Sequence, residues 1–457
     1  MLALLSNATF RALFTAQVIA LVGTGLSTIG LALLAYALAG DKAGLVLGTA
    51  LALKMVAYVA IAPVVGAFAH RLPRKALLVT LDLGRAVLVL CLPLVTEIWH
   101  IYLLIFLLNA CSAAFTPTFQ ATIPDVLPDE DDYTRALSLS RLAYDLENLL
   151  SPLLAGAALL YLSYDALFSA NAVAFAVSAL LVTITVLPSP APKEDVEGLW
   201  QKLSLGARVY LGTPRLRALL ALSLAVAAGG AMVIVNTVVL VRGPFGGSES
   251  DVALAFAASG AGSMLAALLL PLVLDRLTDR SLMVAGGFMV AAGLFLGPFA
   301  TGMVALLPVW FLLGAGSSCV QTPAGRLLRR SSDDVSRPAL YATQFALSHA
   351  CWLLAYPAAG WLVGATGIAT TFTLLGLTAL IASAAALVLW PSADPVEIAH
   401  RHETMDHRHL HIHGEHHLHE HEGWEGPEPH RHAHRHVPVR HSHRFVIDGH
   451  HPIWPGR

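Results

Sequence analysis

The sequence predicts an all-α integral membrane protein with twelve transmembrane helices in two six-helix parallel repeats, followed by a disordered tail. Three observations support this: long apolar runs recur, basic residues favour alternate loops, and one stretch is repeated. The chain of 457 residues is 56% hydrophobic and only 13% charged, whereas a soluble domain carries about 25% charged residues. The composition therefore excludes an ordinary soluble protein, and the formal net charge of −2 gives no reason to expect nucleic acid as a partner.

The apolar runs are long enough to be membrane spans, which need about 20 residues each as helices. A backbone in hydrocarbon must satisfy its own hydrogen bonds, so these runs are predicted to be helices. The twelve spans lie at about 12–38, 44–69, 76–96, 99–121, 140–162, 164–187, 217–241, 252–274, 282–299, 301–321, 341–365 and 367–390.

Lysine and arginine residues predict the orientation of the spans, because loops on the cytoplasmic side are enriched in them. Basic residues cluster in the loops after spans 2, 6, 8 and 10, whereas the loops on the other side hold only Lys42 and Arg242. The pattern places both termini in the cytoplasm, and we expect a protein of the bacterial inner (plasma) membrane.

An internal repeat divides the chain into halves. The stretch 116–156 and the stretch 322–360 both begin with Thr-Pro, continue through an acidic loop, and end in a span that carries proline before glycine. Such repeats are typical of transporters built from two related bundles. We therefore expect a first half at 1–187, a cytoplasmic linker at 188–216, a second half at 217–390 and a His-rich cytoplasmic tail at 391–457.

The loop after span 2 carries the motif GAFAHRLPRK. It resembles the gating motif of the major facilitator superfamily, with His70 in place of the usual aspartate. A second copy, PLVLDRLTDR, follows span 8. The resemblance implies ion pairs that control a cytoplasmic gate, and the candidate gating residues are Gly66, His70, Arg71, Arg74, Lys75, Asp275 and Arg276.

The segment NLLSPLLAG in span 5 is similar to the antiporter signature of that superfamily. Asn148, Pro152 and Gly156 match the signature, and small residues there allow close helix packing. The resemblance implies export by antiport. The alternative is a kinked, closely packed helix without any directional meaning.

Ionisable and polar residues within spans are candidates for function, because hydrocarbon makes them costly. Asp145 and Glu147 in span 5 project in different directions, and one of them is expected to carry a coupled proton or to form a structural pair with Arg141. Further candidates for proton coupling or for the substrate cavity are Lys54, Asn109 and His349. Asp82 and Arg85 in span 3 are assigned to the cytoplasmic gate instead.

The tail from residue 391 onwards is rich in histidine and poor in core-forming residues, which predicts disorder. His-x-His recurs in it, and neutral imidazole is a ligand for nickel, zinc, copper and cobalt. The predicted metal ligands are His407, His409, His411, His413, His416, His417, His419, His421, His430, His432, His434 and His436. The four cysteines form no CxxC pair, so no thiolate metal site is expected.

A facilitator with a His-rich cytoplasmic tail resembles the bacterial nickel-resistance exporters of the same superfamily. The resemblance implies proton-coupled efflux of Ni²⁺, with Co²⁺ or Zn²⁺ as further candidates, and no enzymatic activity. Two alternatives stay open: an exporter of drugs, siderophores or metal chelates with a metal-responsive tail, and a membrane-anchored metal buffer or sensor. We expect no tightly bound cofactor, the lipid bilayer, a divalent ion and protons as partners, and a monomer.

Overall fold

The computed structural model describes residues 2–68, 73–127, 129, 132, 136, 139–140, 143, 151, 153–187, 199–274, 277–332, 336–394, 397–401, 405–411, 430–436, 440–447 and 454. Its first helices are α1 (Ala8–Ala39), α2 (Ala43–Phe68), α3 (Arg74–Leu90), α4 (Ile98–Val126) and α5 (Asp165–Ile184). They are followed by α6 (Leu199–Gly212), α7 (Pro214–Arg242), α8 (Glu249–Leu274), α9 (Asp279–Leu296), α10 (Met303–Arg330), α11 (Arg337–Thr366) and α12 (Ile368–Leu389).

Ten stretches of the described residues are long and apolar enough to cross a membrane. The first of these, Ala8–Ile61, contains α1 and the larger part of α2. Because the first stretch covers two predicted spans, the ten stretches account for eleven of the twelve. Helix α6 is not among them and lies in the predicted linker. Ten residues of span 5, namely 141, 142, 144–150 and 152, lie outside the described residues, and 153–159 are helical. The prediction of an all-helical membrane protein is confirmed.

The helix ends follow from local sequence signals. Asn7 caps α1 by accepting a hydrogen bond from the backbone N–H of Phe10, and Thr278 caps α9 by accepting one from Ser281, as N-cap side chains do. Gly40 and Gly367 have positive φ angles of 52° and 83°. Glycine adopts this conformation at little cost, and these two positions separate α1 from α2 and α11 from α12.

The helix pairs within each half follow the same scheme. In the first half α1 packs on α5, α3 packs on α5, and α2 packs on α4. In the second half the corresponding pairs are α7 with α12, α9 with α12, and α8 with α10. This correspondence is compatible with the predicted duplication, in which α1–α4 match α7–α10 and α5 matches α12.

The two halves meet most extensively between α2 and α11. A Cβ atom on Gly48 would lie 2.6 Å from the carbonyl oxygen of Tyr356, and one on Gly360 would collide with the carbonyl oxygen of Gly44. Asn236 of α7 donates a hydrogen bond of 2.9 Å to the carbonyl of Ala359 nearby. These contacts hold the halves together near the end of the bundle at which α1 ends. This end lies opposite the one that holds the start of the tail, and it is here called the opposite end.

The other end of the bundle, here called the tail end, holds α6 and the start of the tail. Part of the predicted linker forms α6, which packs against α11. Tyr210 of α6 donates a hydrogen bond to Gln344 of α11. An apolar face of α6 therefore finds a partner surface on the second half.

The described residues of the tail form short strands, and the disorder of the tail as a whole stays a prediction. These strands are β1 (Glu397–Arg401), β2 (Met405–His411), β3 (His430–His436) and β4 (Arg440–Arg444). Strand β1 pairs with β4 and β2 pairs with β3, both antiparallel. This nested pairing satisfies backbone hydrogen bonds of the described strands.

Candidate functional site: a cavity between the halves and a histidine ribbon

A cavity of about 310 Å³ lies between the two halves. Helix α1 and Ser151 of the first half line one wall, and α7, α8, α10 and α11 line the other. The lining residues are Gly25, Thr28, Ile29, Ser151, Val226, Gly230, Val233, Ile234, Phe256, Ser259, Gly260, Ser263, Gly314, Ser317, Gln321, Trp352 and Tyr356. Among these described residues there is no carboxylate, imidazole, lysine or arginine, so the wall offers hydroxyl, amide and aromatic groups to a substrate.

The polar residues of this wall were missed from the sequence, although a signal for them exists. Ser259 and Ser263 are four residues apart in α8, as are Ser317 and Gln321 in α10. Residues at this spacing share one face of a helix, so each pair marks a polar stripe within an apolar span. The signal is weak because hydroxyls often bond to their own helix, as Ser317 does by donating to the carbonyl of Leu313.

Trp352 and Tyr356 form the aromatic part of the wall. Their ring centroids are 5.0 Å apart. Gly230 of α7 makes room for the indole, since a Cβ atom on Gly230 would collide with the ring of Trp352. The close approach of α7 to α11 at the cavity therefore depends on this glycine.

Two of the predicted site residues, Lys54 and His349, are brought together beside the cavity. Lys54 of α2 interacts electrostatically with His349 of α11. The His349 ring stacks on Tyr58 of α2, with centroids 5.5 Å apart, and on Phe345, at 3.9 Å. Its Nδ1 atom is 2.7 Å from the carbonyl oxygen of Phe345. Because Trp352 lies one helical turn from His349, the cluster adjoins the aromatic wall of the cavity.

Asn109, another predicted candidate, does not line this cavity. Its side-chain amide donates a 2.7 Å hydrogen bond to the carbonyl of Ile105 in the same helix. The structure thus gives Asn109 a local bonding partner. Asp145 and Glu147 lie outside the described residues.

Asp82 and Arg85 of α3 were assigned to the gate, and this assignment stays a prediction. They form an ion pair in the interior of the first half, where Ser178 of α5 donates a 2.7 Å hydrogen bond to Asp82. The Arg85 guanidinium lies 4.2 Å from the ring centroid of Phe115 and 4.4 Å from that of Phe175. The pair therefore joins α3 to α4 and α5.

The predicted gating motifs are only partly described. Gly66 lies in α2, while Arg74 and Lys75 begin α3 with half-buried side chains. His70, Arg71, Asp275 and Arg276 lie outside the described residues. Asp279, near the end of the second motif, forms an ion pair with Arg326 of α10, so an ion pair does occur at this end of the second half.

The antiporter-like motif is described at Gly156 but not at Asn148 or Pro152. A Cβ atom on Gly156 would lie 3.3 Å from Cβ of Ala253 in α8. Span 5 therefore approaches the second half closely at this glycine, as the small-residue interpretation requires.

The described part of the tail places seven of the predicted metal ligands on one face of a ribbon. The register of β2 and β3 pairs His407 with His434, His409 with His432, and His411 with His430. His436, opposite Met405, belongs to the same face by alternation. His413, His416, His417, His419 and His421 lie outside the described residues.

A bundle of apolar helices with a polar cavity between two halves defines the class of membrane transporters. The family model of the Major Facilitator Superfamily matches residues 13–243 and 219–424. The chain therefore belongs to that superfamily, and the resemblance noted in its gating motif is confirmed at the family level.

A curated relative is similar to part of the chain. It is the uncharacterized MFS-type transporter YfiS of Bacillus subtilis (strain 168), which is 25% identical over 279 residues. The match covers 58% of this chain and 65% of that protein, so it spans slightly less than two thirds of the relative's length.

Solved structures share the fold at low identity. A bacterial homolog of the human lysosomal transporter Spinster, inward-facing and unoccupied, has a TM-score of 0.67 and 12% identity, covering 84% of this chain and 98% of its own. The nucleoside transporter NupG has a TM-score of 0.63 and 15% identity, covering 83% and 98%. A POT family transporter in complex with 5-aminolevulinic acid has a TM-score of 0.63 and 11% identity, covering 83% and 95%.

Proposed function

We propose that this transporter exports a divalent transition metal ion, Ni²⁺ foremost and Co²⁺ next, from the bacterial cytoplasm in exchange for protons. The His-rich tail collects the ion on the cytoplasmic side, at the tail end of the bundle. The substrate then passes through the cavity between the halves by alternating access.

The observation that carries this proposal is the register of the β2–β3 ribbon. Directly opposed residues of an antiparallel pair have Cβ atoms about 4.5–5.5 Å apart. Three His–His pairs at alternate positions of the register are therefore expected to make their imidazoles neighbours, and imidazole is a ligand suited to nickel, cobalt and zinc. A metal-collecting surface on a transporter is best explained by metal as cargo.

Two features support the proton as the coupled ion. The titratable cluster of Lys54 and His349 bridges α2 and α11, so a charge change there acts on the contact between the halves. Asp145 or Glu147 of span 5 is the second proposed proton carrier, beside the antiporter-like motif.

Nickel movement in everted membrane vesicles tests the function. With an imposed pH gradient, acid inside, vesicles that contain the protein should accumulate ⁶³Ni²⁺, and collapse of the gradient should abolish the accumulation. Vesicles with an equal amount of the double variant Asp145→Asn/Glu147→Gln should accumulate less. Equal, gradient-independent nickel levels in all vesicles would reject the proposed function.

The ribbon is tested by a matched pair of double substitutions. His409→Ala/His432→Ala removes one cross-strand pair, and His416→Ala/His417→Ala removes two histidines outside the ribbon. We expect weaker Ni²⁺ binding, measured by calorimetry, chiefly for the first variant, because it breaks the set of neighbouring imidazoles. Equal losses in the two variants would show that only the number of histidines matters.

The chemistry of the cavity favours a second candidate. Its described lining residues carry hydroxyl, amide and aromatic groups but no carboxylate or imidazole, a wall that suits a neutral organic molecule or a metal chelate better than a bare cation. In the vesicle assay, transport of Ni²⁺ only in the presence of a small chelator such as histidine or citrate would favour this candidate. A metal buffer or sensor, the third candidate, would bind nickel without any transport.

A further inference from the structure

The two ends of the His-rich tail meet at one buried arginine. Arg215, 2% exposed at the start of α7, forms an ion pair of 3.0 Å with Asp394 at the beginning of the tail. Its guanidinium also lies 4.8 Å from the ring centroid of Trp454, close to the end of the tail. The residues between Asp394 and Trp454 therefore leave the bundle and return to the same point.

The arginine itself is held in place by the second half. Its Nε atom donates a 2.7 Å hydrogen bond to Ser331, which follows α10. Arg330 reinforces the start of the tail, because its guanidinium lies 3.3 Å from the carboxylate of Asp394. Trp390 donates a further hydrogen bond of 3.0 Å to the same carboxylate. Asp394 is thus fixed by three side chains of the bundle.

The returning segment is seated by apolar contacts. Phe445 and Ile447 are 4% and 1% exposed, and they belong to a cluster with residues of α6, α7, α9, α10, α11 and α12. Ile447 occupies the space beside Gly212, since a Cβ atom on Gly212 would lie 2.5 Å from its Cδ1 atom. The rings of Phe445 and Trp454 meet edge to face, 5.2 Å apart.

We propose that Phe445, Val446 and Ile447, together with Trp454, form a clasp, an intramolecular docking element that closes the His-rich tail into a loop on the tail end of the second half. The docking groove is made by α6 and the start of α7, with Gly212 and Arg215 at its centre. The clasp attaches both ends of the tail to the second half. A loop closed in this way allows the nested pairing of β1 with β4 and of β2 with β3.

The clasp has a consequence for the linker between the halves. Helix α6 is held on one side by α11, through Tyr210 and Gly206, and at its end by Ile447. While α6 is docked on the second half, only the residues between α5 and α6 connect the two halves without being held by that contact. Release of the clasp weakens the hold on α6, so the state of the tail can influence the freedom of the linker. This inference does not depend on the identity of the cargo.

Cysteine cross-linking on the full-length protein tests the docking. Cys91, Cys111, Cys319 and Cys351 are first replaced by serine, and Gly212→Cys is combined with Ile447→Cys, which also removes the side chain that Gly212 accommodates. The control combines Gly212→Cys with Gly414→Cys, a tail position outside the described residues. A docked segment has a high effective concentration at its groove, so the first pair should cross-link at least about tenfold faster than the control.

Comparable cross-linking rates for the two pairs would indicate a tail that is not docked and would overturn the proposal.

A second measurement does not require the cysteines. Ile447→Asp should speed amide hydrogen exchange in residues 205–212 of α6, whereas Ala393→Asp, at an exposed tail position, should not. Unchanged exchange in Ile447→Asp would also reject the clasp, and both tests are carried out without metal, so they are independent of the nickel assays.

Discussion

Among single residues, the buried pair of Asp82 and Arg85 shows how a charge can be accommodated inside the first half. Asp82 has no exposed surface, yet it accepts hydrogen bonds from both Arg85 and Ser178. The arginine also lies over two aromatic rings, and cation–π contacts of this kind are favourable when desolvated. The pair therefore fixes the packing of α3 against α4 and α5.

Removal of one partner from this pair should be destabilising, because it leaves an uncompensated buried charge. Asp82→Asn should lower the free energy of unfolding by about 3–5 kcal/mol, whereas a double apolar replacement, Asp82→Leu/Arg85→Met, should recover much of this loss. The thermal midpoint of the detergent-solubilised protein checks both. Asp41→Asn, at an exposed carboxylate, is the control. A midpoint of Asp82→Asn equal to that of the control would show that the pair is not structurally important.

At the scale of helices, glycines decide where the halves approach each other. Gly44 and Gly48 of α2 face Gly360 of α11 so closely that a Cβ atom on Gly360 would meet the backbone of α2. Small residues at helix contacts let backbones approach and are common in membrane bundles. The close contact depends on both helices, because Gly44 and Gly48 of α2 allow it only where Gly360 of α11 faces them.

The glycine contact predicts different effects of the same substitution at two positions in α11. Gly360→Val inserts side-chain atoms where the backbone of Gly44 lies, and overpacking of this kind costs about 1–3 kcal/mol or more. Gly364→Val, one turn further along, should be tolerated, because no atom lies within 4 Å of a Cβ placed there. The difference between the thermal midpoints of the two variants checks the contact. Equal midpoints would indicate that α2 and α11 are not held together at this point.

For the whole molecule, the sequence predicts the membrane spans well because hydropathy is a local property of each span. It also identified Lys54 and His349 as candidates, but not that they meet, since this contact joins residues from different halves. Docking of Ile447 beside Gly212 was equally invisible, because no local pattern links residues so far apart in the chain. The cavity hydroxyls were missed since serine in a span is also satisfied by its own helix, as at Ser317.

The cluster of Lys54 and His349 leads to a prediction about the coupling of the two halves. A proton on His349 would place a second cation near Lys54, next to the rings of Tyr58 and Phe345. Repulsion between the two cations would weaken the contact of α2 with α11 next to the cavity. Histidine is the side chain that most readily changes its charge near physiological pH, so this contact should respond to pH.

Tryptophan fluorescence can detect this response without any knowledge of the substrate. Trp352 lies one turn from His349 in α11, so protonation of the imidazole should change its emission. We expect a pH-dependent change in emission that is present in the wild type, absent in Trp352→Phe and in His349→Gln, and retained in His100→Gln, which removes the histidine beside Trp99 at the opposite end. Lys54→Met should keep the pH response, because the imidazole of His349 is still present. A titration that survives in His349→Gln would assign the pH response to another group and remove His349 from the coupling mechanism.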